Sequence, residues 1–164
     1  MAGCPTCGID ESAISVHDAI DAVRTFPGRY RRAVAGLTDA QLRARPSADV
    51  WSVLEYLVHI REVLDLLGMT IPHVLDQPGV ELPDISADES AQTRPDWVMD
   101  PGLALDGIDR AALTLVTAAA DVSEEAWSRP FTIGGTPHDA GWLVRHAAHE
   151  GAHHLRDIER VRAA

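Results

Sequence analysis

The stretch Leu143-Val-Arg-His-Ala-Ala-His-Glu-Gly-Ala-His-His-Leu-Arg-Asp157 holds four of the chain's eight histidines. Read as a helix, it sets imidazoles and a carboxylate three and four residues apart, where side chains become neighbours. Neutral imidazole and carboxylate are favoured ligands of a divalent zinc-like or iron-like ion. At about 100° per residue, Leu143, Ala147, Glu150, His154, Ile158 and Val161 fall within about 80° of one another and form an inward stripe. His149 and His153 turn toward the side of Trp142 and Arg160, expected to be a wetter edge. His146 lies between, as a hydrogen-bond partner of the carboxylate.

Working outward, apolar residues recur at helical steps in three more segments. The first runs from about Ser15 to Gly36 through Val16, Ile20, Val23, Tyr30 and Val34, with Pro27-Gly28 expected to kink or interrupt it. Thr38 to Leu42 reads as a capped single turn. The second long helix opens at Ser52-Val-Leu-Glu55, a capping box, and runs to about Leu75 with Pro72 bending its last turn. Residues 77 to 99 are polar, rich in Pro and Asp and without clear period, a loop long enough to lid a pocket. Asp100-Pro101 then starts the third helix as N-cap and first helical residue. Ser123 to Trp127 is another short turn. Phe131 to Gly135 is briefly extended, and Thr136 to Asp139 is expected to cap a fourth helix reaching about Val161. Four helices, two short links and one long crossover predict an all-α four-helix bundle, with no alternating strand pattern in competition.

The chain also repeats itself. Thr38-Asp39-Ala-Gln-Leu42 and Ser123-Glu124-Glu-Ala-Trp127 agree in residue class, and each is followed by Arg-Pro, a variable loop and a tryptophan opening a long helix. Eight residues beyond those tryptophans, Trp51 and Trp142, stand His59 and Glu150. Two related helical hairpins would therefore carry candidate ligands at matching places. The repeat and the apolar stripe together favour His59, Glu150 and His154 as the metal-binding set. His149 and His153, also four apart, form the rival pair.

A formal charge of -11 at 164 residues argues against nucleic acid and anionic membranes as partners, since both repel such a surface. No apolar run approaches a transmembrane helix and the N-terminus lacks a signal-peptide pattern, so a soluble cytoplasmic protein is expected. The two cysteines stand in Cys4-Pro-Thr-Cys7-Gly8, whose turn resembles half of a zinc knuckle. Residues 1–13 thus read as an arm preceding a bundle over 14–164. The two other readings of the arm are a redox pair, whose usual strand-helix setting is missing here, and a reduced pair without a role.

Trp51-Ser52 followed by His59-Ile60, together with His146-x-x-x-Glu150-x-x-x-His154, resemble the DinB-like superfamily of metal-binding four-helix bundles, which includes the mycothiol-dependent maleylpyruvate isomerases. The similarity spans about residues 14 to 162. Many members place histidine where this chain has Glu150, and the isomerase branch places glutamate there. The resemblance implies a three-ligand site with an open position. It also implies a divalent ion, zinc first with nickel or iron as the other fits, and a low-molecular-weight thiol aligned against a small electrophilic substrate. It leaves room for a homodimer. Such a thiol transferase or isomerase has two rivals: a non-catalytic metal-binding or stress-response module, and a bundle whose histidines only satisfy one another. The last would cost roughly 1–3 kcal/mol for each buried polar group left unpaired. The arm departs from the family pattern and would make a separate zinc site, completed by another subunit or by His149 and His153.

Overall fold

A computed structural model of the chain describes residues 4–84 and 100–163. Its long helices are α1 (Val16–Val34), α3 (Val53–Asp76), α4 (Pro101–Ala119) and α5 (Ala140–Ala163), with a single-turn α2 (Asp39–Arg43) and short 3-10 turns at Glu11–Ala13 and Glu124–Ser128. Helix α3 packs on α4 and α5, and α1 packs on the same two, closing a four-helix bundle. None of the described helices is long and apolar enough to cross a membrane.

Each start has a local cause. Ser15 accepts the amide of Asp18, and Asp100 that of Leu103 with Pro101 in the first turn. Ser52 and Glu55 form a reciprocal capping box before α3, and Thr38 and Gln41 form one before α2. Of the kink or interruption expected at Pro27-Gly28, the interruption is absent: helix α1 runs through Pro27. Its flanking residues Phe26 and Tyr30 are wholly buried, so packing offsets the one hydrogen bond that proline removes. The core is built from side chains such as Phe26, Leu57, Ile60, Leu64, Ile108, Leu115, Leu143 and Ile158, all fully buried. Burial of each large aliphatic or aromatic side chain contributes about 1.5–3 kcal/mol.

Helices α1 and α5 meet at a glycine. A Cβ on Gly151 would lie 2.1 Å from the Phe26 ring. Beside it the buried Tyr30 hydroxyl donates to the Gly151 carbonyl at 2.9 Å. Close approach and a buried hydrogen bond thus set the register of α5 on α1, one residue from Glu150.

A small sheet adds to the bundle, its middle strand over the stretch expected to be briefly extended and the other two where sequence patterning gave no strand. Strand β1 (Glu81–Leu82) runs parallel to β2 (Pro130–Ile133), and β2 pairs antiparallel with β3 (Thr136–Asp139). Gly134 and Gly135, with φ of +53° and +78°, make the two-residue turn between β2 and β3 that only residues tolerant of positive φ adopt readily. Thr136 to Asp139 is therefore a strand and not a free cap. Asp139 still accepts the Trp142 amide at 2.8 Å at the head of α5. Strands of two to four residues are too short to show an alternating period, so β1 and β3 carry no strand signature of their own. Pairing through β1 pins residues 81–82 of the long crossover beside the bundle. The remainder of the expected lid, residues 85–99, lies outside the described residues.

Candidate metal centre

Helix α3 presents His59 and α5 presents Glu150 and His154, and one donor atom of each lies within 4.8 Å of the other two. Glu150 Oε2 stands 3.7 Å from His59 Nε2 and 3.3 Å from His154 Nε2. All three side chains are largely withdrawn from solvent, at 7%, 19% and 12% exposure in the order His59, Glu150, His154. Trp51, in the turn before α3, lays its ring 5.2 Å from that of His59 and 6.4 Å from that of His154. Tyr56, in the first turn of α3, sets its ring 5.3 Å from that of His154 at a tilt of 34°.

Electrostatics favour the charged forms of Glu150 and His154. Burial would raise the pKa of Glu150, but hydrogen bonds from His154 and His59 outweigh it and keep the carboxyl far below the usual carboxylate range. Burial likewise opposes a charge on His154, yet its bonds to Asp157 and Glu150 leave its pKa above the ordinary imidazole value. An ionised, mostly buried carboxylate between two imidazoles needs a positive partner, and either protons or a cation can supply it.

Asp157 was not singled out in the sequence. Its Oδ2 lies 2.8 Å from His154 Nδ1 and 3.3 Å from His153 Nε2, so it orients two neighbouring histidines at once. The spacing of three and four residues on one helix was the signal available for it. Its bond to Nδ1 leaves His154 Nε2 to face Glu150.

The edge carrying His149 and His153 departs from expectation. His149 is only 9% exposed, because the arm before α1 folds over it. Glu11 Oε1 reaches His149 Nδ1 at 2.5 Å and His146 Nδ1 at 3.0 Å. Burial pushes the Glu11 carboxyl up, and the two imidazoles more than compensate, holding it below its usual range. Nothing in the local sequence marks this contact, which joins residues 135 and 138 positions apart. His146, expected as a hydrogen-bond partner of Glu150, is thus a partner of the arm, and its ring stacks on Trp142 with centroids 4.4 Å apart.

His59 and Glu150 open onto a cavity of about 440 Å³ between α3, α5 and the small sheet. Leu66, Leu67, Leu82, Ile133 and Trp142 give it an apolar wall, while His146 and Asp84 add polar groups. Apolar lining with a few convergent polar groups is the usual make-up of a small-molecule site.

The sequence matches the DinB superfamily over residues 22–158, a span that includes His59, Glu150 and His154. The chain belongs to the DinB superfamily. Among solved structures, this DinB-superfamily chain is similar to YfiT from Bacillus subtilis, described as a probable metal-dependent hydrolase with an unusual four-helix bundle topology. That likeness has a TM-score of 0.83 at 13% identity, over 99% of this chain and 93% of YfiT. The mycothiol-dependent maleylpyruvate isomerase is similar at a TM-score of 0.69 and 15% identity, over 92% of this chain and 63% of the isomerase. The chain therefore spans less than two thirds of the isomerase's length. No curated protein sequence matches it.

Proposed function

We propose that this DinB-superfamily chain is a divalent-metal enzyme of the thiol S-transferase or isomerase type, with His59, Glu150 and His154 as ligands. The observation that carries the reading is their convergence from two helices, with His59 and Glu150 at the wall of an apolar cavity. The donor set fits such an ion: two imidazoles, one carboxylate kept ionised, and Asp157 fixing the outer nitrogen of His154. Zinc suits this mixture best, with nickel or iron as alternatives. Three protein ligands leave a position open, where a bound ion would act as a Lewis acid and lower the pKa of a thiol or water.

The chain's own residues supply the rest. Leu66, Leu67, Ile133 and Trp142 receive the apolar part of a small substrate and exclude water from it. His146 lines the same cavity with Nδ1 engaged by Glu11, so Nε2 remains to give or take a proton. A low-molecular-weight thiol as cosubstrate is supported by likeness to the mycothiol-dependent isomerase. A second reading, water in place of the thiol, draws support from the description of YfiT as a probable hydrolase.

The experiment has two parts. Elemental analysis of the zinc-reconstituted protein should show His59→Ala and His154→Ala each losing one ion per chain relative to wild type. Unchanged metal content in both variants would sink the ligand assignment. Turnover of an electrophile with and without added thiol then separates the chemistries. Thiol-dependent turnover supports the proposal, thiol-independent hydrolysis favours the second reading, and no turnover across an electrophile panel overturns both in favour of a binding module.

A further inference from the structure

The arm before α1 brings a second set of donors to α5. Cys7 Sγ lies 3.3 Å from His149 Nε2 and Cys4 Sγ lies 3.7 Å from His153 Nδ1. All four donor atoms fall within 4.8 Å of one another. A tetrahedral zinc with two sulfur and two nitrogen ligands sets its donors about 3.3–3.8 Å apart. Both cysteines are free thiols. We infer that Cys4, Cys7, His149 and His153 form a structural zinc site, distinct from the bundle centre, that fastens the N-terminal arm to α5.

Two further observations point the same way. Each histidine turns its other nitrogen to a carboxylate: His149 Nδ1 to Glu11 at 2.5 Å and His153 Nε2 to Asp157 at 3.3 Å. Carboxylates take the N–H and leave a lone pair facing the sulfurs, the tautomer a metal ligand requires. Pairwise thiol–imidazole hydrogen bonds would need neither the convergence of all four donors nor this backing. The turn itself is shaped for the task. Gly8, at φ +72°, donates to the Cys4 carbonyl at 2.7 Å, and Cys4 donates to Ile9 at 2.8 Å, which folds both sulfurs to one side. Amides of Cys7 and Thr6 donate to the Cys4 sulfur and help fix its direction. Arg156 donates to the Cys7 carbonyl and holds the end of the turn on α5.

With all four positions taken by protein, the site has no opening for substrate, so its role is structural. It places Glu11 against His146 and His149, and so reaches the cavity wall through the arm. The donors alternate along one helix: His149 and His153 serve this site, while the next residues, Glu150 and His154, serve the bundle centre. The inference uses no ligand of the bundle centre, so the two assignments stand or fall separately.

Cobalt loading of the purified full chain tests it. Wild-type protein should show a sulfur-to-cobalt charge-transfer band in the near ultraviolet, and His59→Ala should keep it. The Cys4→Ser/Cys7→Ser variant should lose the band together with one zinc per chain. In unmutated protein, zinc should shield both thiols from a disulfide reagent, and a chelator should restore their reaction. His149→Ala and His153→Ala should each weaken zinc at the thiolate site by at least about tenfold. A wild-type cobalt spectrum without the thiolate band, or thiols equally reactive with and without zinc, would overturn the site. Unchanged affinity in both histidine variants would overturn the four-ligand assignment.

Discussion

Replacing Gly151 with alanine should destabilise the protein by about 2 kcal/mol, and the figure follows from one contact. The added methyl would sit 2.1 Å from Phe26 Cε2, whereas carbon atoms rest about 3.5–4.0 Å apart. One side must retreat by roughly 1.4 Å. Phe26 has nowhere to go, being wholly buried with Tyr30 edge-on to it at 6.1 Å. Overpacking of this kind costs about 1–3 kcal/mol, and a forced retreat on this scale belongs at the upper end. Alanine returns up to about 1 kcal/mol of helix propensity. The net loss of about 2 kcal/mol corresponds to a fall in Tm of about 4–8 °C for a chain of this size. Thermal melting of the chelator-treated protein measures it, and the double variant Phe26→Leu/Gly151→Ala should recover part of the loss. A Gly151→Ala protein that melts at or above wild type would refute the reasoning, since it would mean that α1 and α5 do not meet as described.

Three further outcomes follow from named contacts. Glu55 is held below its ordinary pKa of 4.5 because Arg45 and the Ser52 amide outweigh its burial. Its folded value lies below the unfolded one, so its contribution is full above about pH 4.5 and is lost on acidification below it; Glu55→Gln should flatten the acid limb of a stability–pH curve. Asp157→Asn, which weakens the support of His153 and His154 together, should lower zinc affinity about 10–100-fold at both sites in chelator competition. An effect at one site alone would show that only one of the two contacts orients a ligand. Tyr30→Phe, which removes the bond to the Gly151 carbonyl, should cost about 1 kcal/mol in urea unfolding without changing metal content.

The bundle was legible because its helices announce themselves locally. Ser15, Ser52, Thr38 and Asp100 cap where their side chains suggest, and apolar steps of three and four mark the buried faces. The same spacing, with the tryptophan repeat, led to His59, Glu150 and His154, which the fold gathers at one place. Facing arguments failed where a distant segment intervenes. Helical rotation alone puts His149 and His153 at a wet edge, and only the arm, far away in sequence, makes that edge buried. Strand β1 was missed for a related reason: it exists only through β2, some fifty residues later, and carries no period of its own.

The separation between Cys4 and His153 has a consequence in time. The two lie 149 residues apart. A chain made at about 5–20 residues per second leaves the thiols waiting roughly 7–30 s for their imidazoles. During that interval both sulfurs are open to oxidation and to stray metal, and only a chain made as far as α5 can shelter them. Closure of the arm is therefore a late folding event, and a chain interrupted before His149 would carry two bare thiols as the mark of its incompleteness.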